Sequence, residues 1–233
     1  PTAEMRVRLD VLAVGVGVAY VLGVVVAMGR LSYDVWGAFV LAPVLLAGSY
    51  LLLRRLLVGE LASIMPLAVT GLLAKFVGAG VRYWISYNSY LGFTDAADYH
   101  LAAARIAARA RAGQVGLIEF IPHGLGTRFI EEVAGVVYTV AGSSRLGGAF
   151  VFATVAFWGS VFYLLAANIA VRGLRRKWYA VLVFFAPSIV YWPSSLGKEA
   201  WMFFALGLGS YGVSLALMRR DRLRRGFVLA AAG

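Results

Sequence analysis

The chain has 233 residues, of which 61% are hydrophobic and only 14% charged, a balance that excludes an ordinary soluble domain, which is nearer half apolar and a quarter charged. Its net charge of +11 does not mark a nucleic-acid binder. The basic residues form short runs at the ends of apolar segments (Arg54-Arg55, Arg172 to Lys177, Arg219 to Arg225) and leave no soluble basic face to hold a duplex. With no cysteine in the sequence, disulfides, thiolate metal sites and thiol nucleophiles are excluded too.

A membrane-spanning helix needs about 20 apolar residues, with roughly 17 as the short limit. Taken in chain order, Val11–Gly29 is long enough and carries no small-residue cleavage site, so it reads as a retained span rather than a signal peptide. Its closely spaced glycines permit tight helix packing. Trp36–Leu53 is the second span. The third runs from Leu61 to about Ser86 and contains Lys75 and Arg82. An ionisable group inside a span is a functional hypothesis by default; the alternative is that Lys75 lies near enough to one end to snorkel.

Residues 87–147 do not fit a span. Asn88 to Thr94 reads as a loop, and Asp95 to Ala112 as an alanine-rich helix with Arg105 and Arg109 on one face and Leu101 and Ile106 on the other, suited to the bilayer surface. The stretch "FIPHGLGTRF" (120–129) is a turn-rich connection. Ile130 to Val140 is about three turns long, starts on Glu131-Glu132, and belongs at the interface. Gly148–Val171 is the fourth span. Trp178–Trp192, ending at Pro193, is a short fifth, and Ala200–Met218 a sixth. Phe227 onward looks like the start of a seventh, and the chain, which begins without Met, is expected to be a fragment of a longer protein or a cut-down one. The expected fold is an all-α polytopic membrane protein of about six to seven transmembrane helices, with interfacial helices in one large outer loop: two N-terminal spans in 1–60, then a core in 61–233.

With the N-terminus in the cytoplasm, the inner segments hold thirteen basic and four acidic residues, and the outer ones eight basic and seven acidic. The basic excess thus falls on the inner side, as topology requires, and residues 87–147 and the 193–199 turn share the outer face of the cell membrane. Trp84, Trp158, Trp178, Trp192 and Trp201 are expected near span ends as an aromatic belt.

Two outer stretches carry the candidate chemistry. In "GFTDAADYH" (92–100), Asp95 and Asp98 are three apart and share a helix face, followed at once by Tyr99 and His100. Two carboxylates there could hold a divalent cation such as Mg²⁺ or Mn²⁺, or act as general base and orienting partner. The competing reading makes Asp95 the N-cap and Asp98 part of a capping-box-like arrangement. In "YWPSSLGKEA" (191–200), Ser194 or Ser195 could cap the next helix, with Glu199 favoured in its first turn by the macrodipole. Lys198 could bind a phosphate as a point charge, or simply snorkel. His123 and Arg128 flank the glycine-rich turn and could contact an anionic head group. His100 and His123 have no metal-ligand spacing.

The order of these pieces is a span, a "D-x-x-D-Y" outer loop, interfacial helices with "GTRF…VYTVAGSS", a span ending in Arg/Lys, a short span, then "P-S-S-L-G-K-E". It resembles the N-terminal core of polytopic glycosyltransferases of the GT-C fold that use dolichyl- or polyprenyl-phosphate-linked sugars, over residues 61–225. The resemblance implies a catalytic first-loop acid at Asp95 or Asp98, a second acid at Glu199, and a donor phosphate held by Lys198 and Arg128 or by a bound Mg²⁺ or Mn²⁺. The partners it implies are membrane lipid, the lipid-linked sugar donor and a glycan or protein acceptor on the extracytoplasmic face. Two spans (11–53) precede the usual first core helix, and the family has more helices than this chain. A transporter or flippase-like protein, or a non-catalytic subunit of an envelope assembly complex, is the alternative.

Overall fold

A computed structural model describes residues 3–114, 121–218 and 223–233, with side chains from residue 11 onward except 13. Glu4, Arg6, Arg8, Asp10, Glu119, Arg219, Arg220, Asp221 and Arg222, which enter the charge count above, lie outside the described side chains, as does Phe120. Every described element is helical: α1 (Ala3–Arg30), α2 (Tyr33–Leu56), a 3₁₀ turn (Gly59–Ile64), α3 (Met65–Trp84) with a π turn (Ile85–Ser89), α4 (Asp95–Arg111), α5 (Thr127–Ala141), α6 (Arg145–Ala170), α7 (Arg176–Phe185), α8 (Pro187–Tyr191), α9 (Lys198–Met218) and α10 (Leu223–Ala232).

Four of these stretches are long and apolar enough to cross a membrane: α2, Gly59–Ser89, α6 and α9. They match the second, third, fourth and sixth expected spans. The count of six to seven is not reached among the described residues, for three reasons. Helix α1 enters the count only through Val14–Arg30, because residue 13 and the residues before 11 lie outside the described side chains. Helix α10 has ten residues and folds back along α9. The expected fifth span is two helices of ten and five residues. That break has a local cause. Pro187 has no N–H and disfavours the helical region for the residue before it, and Ala186 sits at ψ 128°, outside the helix. Trp158 also departs from expectation: it lies mid-way along α6 rather than at a span end.

The core forms around α6, which packs on α2, α3, α7 and α9; Phe157, Val161 and Leu164 on it are fully buried. Helices α6 and α9 approach along glycines. A Cβ on Gly207 would lie 2.5 Å from the Gly159 carbonyl oxygen, and one on Gly159 would lie 2.7 Å from that of Phe203. Helix α4 packs on α5 through Tyr99, Ala103 and Ala107, with Ile106 against Gly135. Leu101, expected on the apolar face, is exposed instead. Helix α4 thus buries its narrow face against protein. Helix α5 begins earlier than expected, at Thr127 after Gly126.

One face of α3 (Gly71, Lys75, Gly78, Arg82) receives the broken α7–α8 segment. The Lys75 ammonium is buried, donates to the Ile189 carbonyl at 2.6 Å, and lies over the Phe203 ring. The reason is on the partner strand of chain: in a helix the Ile189 carbonyl would accept from residue 193, and Pro193 has no N–H. Arg82 donates to the Trp192 carbonyl at 2.6 Å and stacks on Tyr191 and Trp192. Ser194, expected as a cap, donates instead to the Val190 carbonyl at 2.6 Å. Three open carbonyls of α8 and its exit are thus satisfied by side chains, as buried backbone acceptors must be. Lys75 is neither snorkelling nor facing an open pathway.

Two ion pairs mark opposite ends of the bundle. At one, Arg176 joins Glu60 (2.7 Å) and donates to Asn168 (2.6 Å), riveting the α2–α3 turn to the α6–α7 connection. At the other, Arg145 meets Asp34. The 26 residues of α6 separate these ends by roughly 39 Å at 1.5 Å per residue. The 59–63 turn thus sits with the 175–178 segment at one end of the bundle, and residue 34 with residue 145 at the other.

Candidate functional site

The end carrying Asp34 and Arg145 gathers most of the predicted site residues. Ser144 builds it locally. As N-cap of α6 its hydroxyl accepts from the Gly147 N–H (3.0 Å) and donates to the Asp34 carbonyl (3.1 Å). The Arg145 N–H then donates to the Asp34 carboxylate at 3.2 Å, and the guanidinium lies 3.3 Å from that carboxylate and over the Tyr87 ring. Arg145, Arg82, Tyr83, Tyr87, His100 and Ser195 line a cavity of about 20 Å³, room for one water-sized group. Ala96, between the two predicted aspartates, and Leu196 also face it. The start of α4 and the 194–197 turn therefore meet at one end of the bundle, as expected.

The predicted carboxylates themselves do not enter that cavity. Asp95, Asp98 and Glu199 are exposed, and none forms an ion pair among the described residues. The N-cap of α4 is Thr94, not Asp95, so the capping reading of Asp95 fails; both aspartates lie in the first turn, where the helix dipole favours them. Among the described residues no three His, Asp or Glu side chains gather to hold a metal ion. The Asp95 and Asp98 carboxylates alone do not make a cage, and Mg²⁺ held by them would keep most of its ligands as water.

Tyr99 is buried against α5 as a packing residue. His100 is also buried, and its Nδ1 lies 2.9 Å from the Tyr138 hydroxyl. Burial, with the nearby Arg145 cation, lowers the His100 pKa, against a smaller opposing effect of Asp34; burial holds the Tyr138 phenol well above its ordinary range. The pair is therefore neutral at pH 7. Because the folded pKa of His100 lies below its unfolded value of about 6.5, the unfolded chain takes up the proton first. Stability should fall as pH drops below about 6.5, and His100→Gln should remove that slope in thermal unfolding followed from pH 7.5 to pH 5.

Arg128 and His123 serve the turn between them. Burial disfavours ionisation of Glu132, but donors outweigh it and hold its pKa low: the backbone N–H groups of Gly124 (2.7 Å) and His123 (2.8 Å), and Arg128 (2.9 Å). The His123 ring is exposed and lies against the Ile121 carbonyl. Glu132 thus fixes the 123–126 turn over α5. Under that turn lies an apolar groove of about 330 Å³ lined by Leu125, Gly126, Phe129, Trp201 and Met202, with Lys198 as its one cation among the described residues. Phe129 and Trp201 meet edge to face across it.

Sequence reasoning missed Asp34 and Arg145 as a pair, and Glu132 as the anchor of the turn. The Arg128–Glu132 spacing of four was a readable signal; nothing in the sequence joins residue 34 to residue 145. Comparison of the chain with protein-family models, with curated proteins and with solved structures finds no match.

Proposed function

We propose that this membrane protein transfers a sugar from a polyprenyl-phosphate donor to a hydroxyl acceptor at the membrane face that carries α4, α5 and the start of α9. The observation that carries the reading is the groove beneath the 123–126 turn: an apolar trough with a single ammonium on its wall suits a hydrocarbon chain ending in a phosphate. Lys198 binds the phosphate and, as the first residue of α9, adds its charge to the positive end of the helix dipole. Asp95 and Asp98 face water on the same end, where an acceptor arrives.

The reaction asks little of the protein beyond these parts. A carboxylate of Asp95 or Asp98 takes the acceptor O–H proton. The acceptor oxygen bonds to the anomeric carbon as the bond from that carbon to the phosphate oxygen breaks, and the electron pair leaves on polyprenyl phosphate. Lys198 stabilises the charge that develops there. Glu199 is the second acidic candidate, adjacent to the phosphate-binding lysine.

The test uses the purified chain in detergent with a photoactivatable polyprenyl phosphate. Labelling is expected in 124–130 and 198–202, and Lys198→Ala should weaken it by roughly tenfold, the worth of one charge-assisted contact. Transfer from a polyprenyl-phosphate sugar should fall by about 10²–10⁴ when the general base is removed, in Asp95→Asn or Asp98→Asn, with labelling unchanged. Labelling confined to other segments would sink the donor site. Labelling as expected, with transfer indifferent to all three acids, would favour a non-catalytic lipid carrier or assembly subunit.

A further inference from the structure

The opposite end of the bundle holds a second concavity unrelated to this reading. An open cleft of about 720 Å³ lies between the α2–α3 turn (Gly59, Glu60, Ser63) and the start of α7 (Arg175, Arg176, Lys177, Trp178). Its walls carry three cations and one carboxylate. Arg176 is already committed, to Glu60 and to Asn168. Arg175 and Lys177, either side of it, are exposed and form no ion pair among the described residues. The rivet therefore pairs Glu60, the only acid lining the cleft among the described residues, and leaves the two positive charges of Arg175 and Lys177 on its wall.

The level of the cleft decides what those charges meet. It lies where the apolar part of α3 begins and where α7 turns from Arg176-Lys177 to the apolar run Tyr179–Phe185. Trp178, at the boundary, is 69% exposed, as expected of an indole at the membrane–water interface. Two uncommitted cations beside an interfacial tryptophan, opening onto an apolar helix face, complement a phosphate with acyl chains attached.

We infer that this cleft is a binding site for an acidic phospholipid, its phosphate held between Arg175 and Lys177 and its chains lying along α7. The Arg176–Glu60 pair ties the two walls of the cleft together.

The probe is phosphatidylglycerol against phosphatidylcholine, titrated into the detergent-solubilised chain and read as bound lipid by native mass spectrometry. Phosphatidylglycerol should be retained preferentially, and high salt should reduce the preference severalfold. Removing two interfacial charges in Arg175→Gln/Lys177→Gln should lower the preference by roughly 10- to 30-fold, whereas Arg30→Gln, at the other end of the bundle, should leave it unchanged. The inference fails if a folded double variant keeps the preference. It fails equally if the unaltered chain shows a preference that salt does not touch, or if soluble glycerol 3-phosphate competes as well as the lipid does, which would mark a site for a free anion.

Discussion

Lys75→Met and Pro193→Ala are expected to be strongly non-additive. Alone, Lys75→Met strands the Ile189 carbonyl inside the bundle, and an unmet buried acceptor costs about 1–3 kcal/mol. Loss of the buried ammonium offsets part of this, because a charge held away from water is itself expensive, so the single variant understates the bond. In the Pro193→Ala variant a backbone N–H returns at position 193, the Ile189 carbonyl regains the donor that α8 lacks, and Lys75→Met should then be neutral or stabilising. The coupling between the two sites, read from thermal or denaturant unfolding in detergent, should be on the order of 1–2 kcal/mol. Additive effects would mean that the 2.6 Å contact does not replace the missing proline N–H.

Gly78→Ala should be the most damaging small substitution in α3. Its Cβ would overlap the Val190 carbonyl oxygen and press on the Val190 side chain. The obstacle is main chain, so α3 and α8 must move apart, at a cost of about 2–3 kcal/mol typical of overpacking. The same change two residues on, Gly80→Ala, meets nothing within 4 Å and should be neutral or stabilising by up to about 1 kcal/mol through helix propensity. Unfolding of both variants under one condition measures the contrast. Equal stabilities would mean that α8 does not lie against α3 at that level.

The spans that the sequence revealed share one property, a long apolar run; three of them carry no proline at the centre, and α2 runs unbroken through Pro43. Leu61–Ser86, Gly148–Val171 and Ala200–Met218 each became one helix, or a helix with a short continuation, because length and apolarity alone settle that outcome in a bilayer. Trp178–Trp192 has the same apolarity but breaks at Ala186 before Pro187, whereas α2 continues through Pro43, so proline alone did not tell which apolar run would divide. Contacts were a different matter. Lys75 was visible as an anomaly, but its partner is a carbonyl, which no side-chain identity announces. Asp34 and Arg145 meet because Ser144 caps α6 against α2, a tertiary event with only a local signature at residue 144. The candidate acids Asp95, Asp98 and Glu199 stand on elements expected to share one end, and the start of α4 and the 194–197 turn meet there. Their exposure was not legible, since it depends on which face of α4 finds α5.

The glycine contact between α6 and α9 sets a limit on how this protein can diverge. At residues 159 and 207 each glycine faces the other helix's backbone, so a larger residue at either position has no complementary smaller residue to call upon: the partner is already peptide. Second-site suppressors of a change at 159 or 207 should therefore map to positions that shift a whole helix, and reciprocal size swaps, the commonest form of compensation in side-chain cores, are closed to this pair.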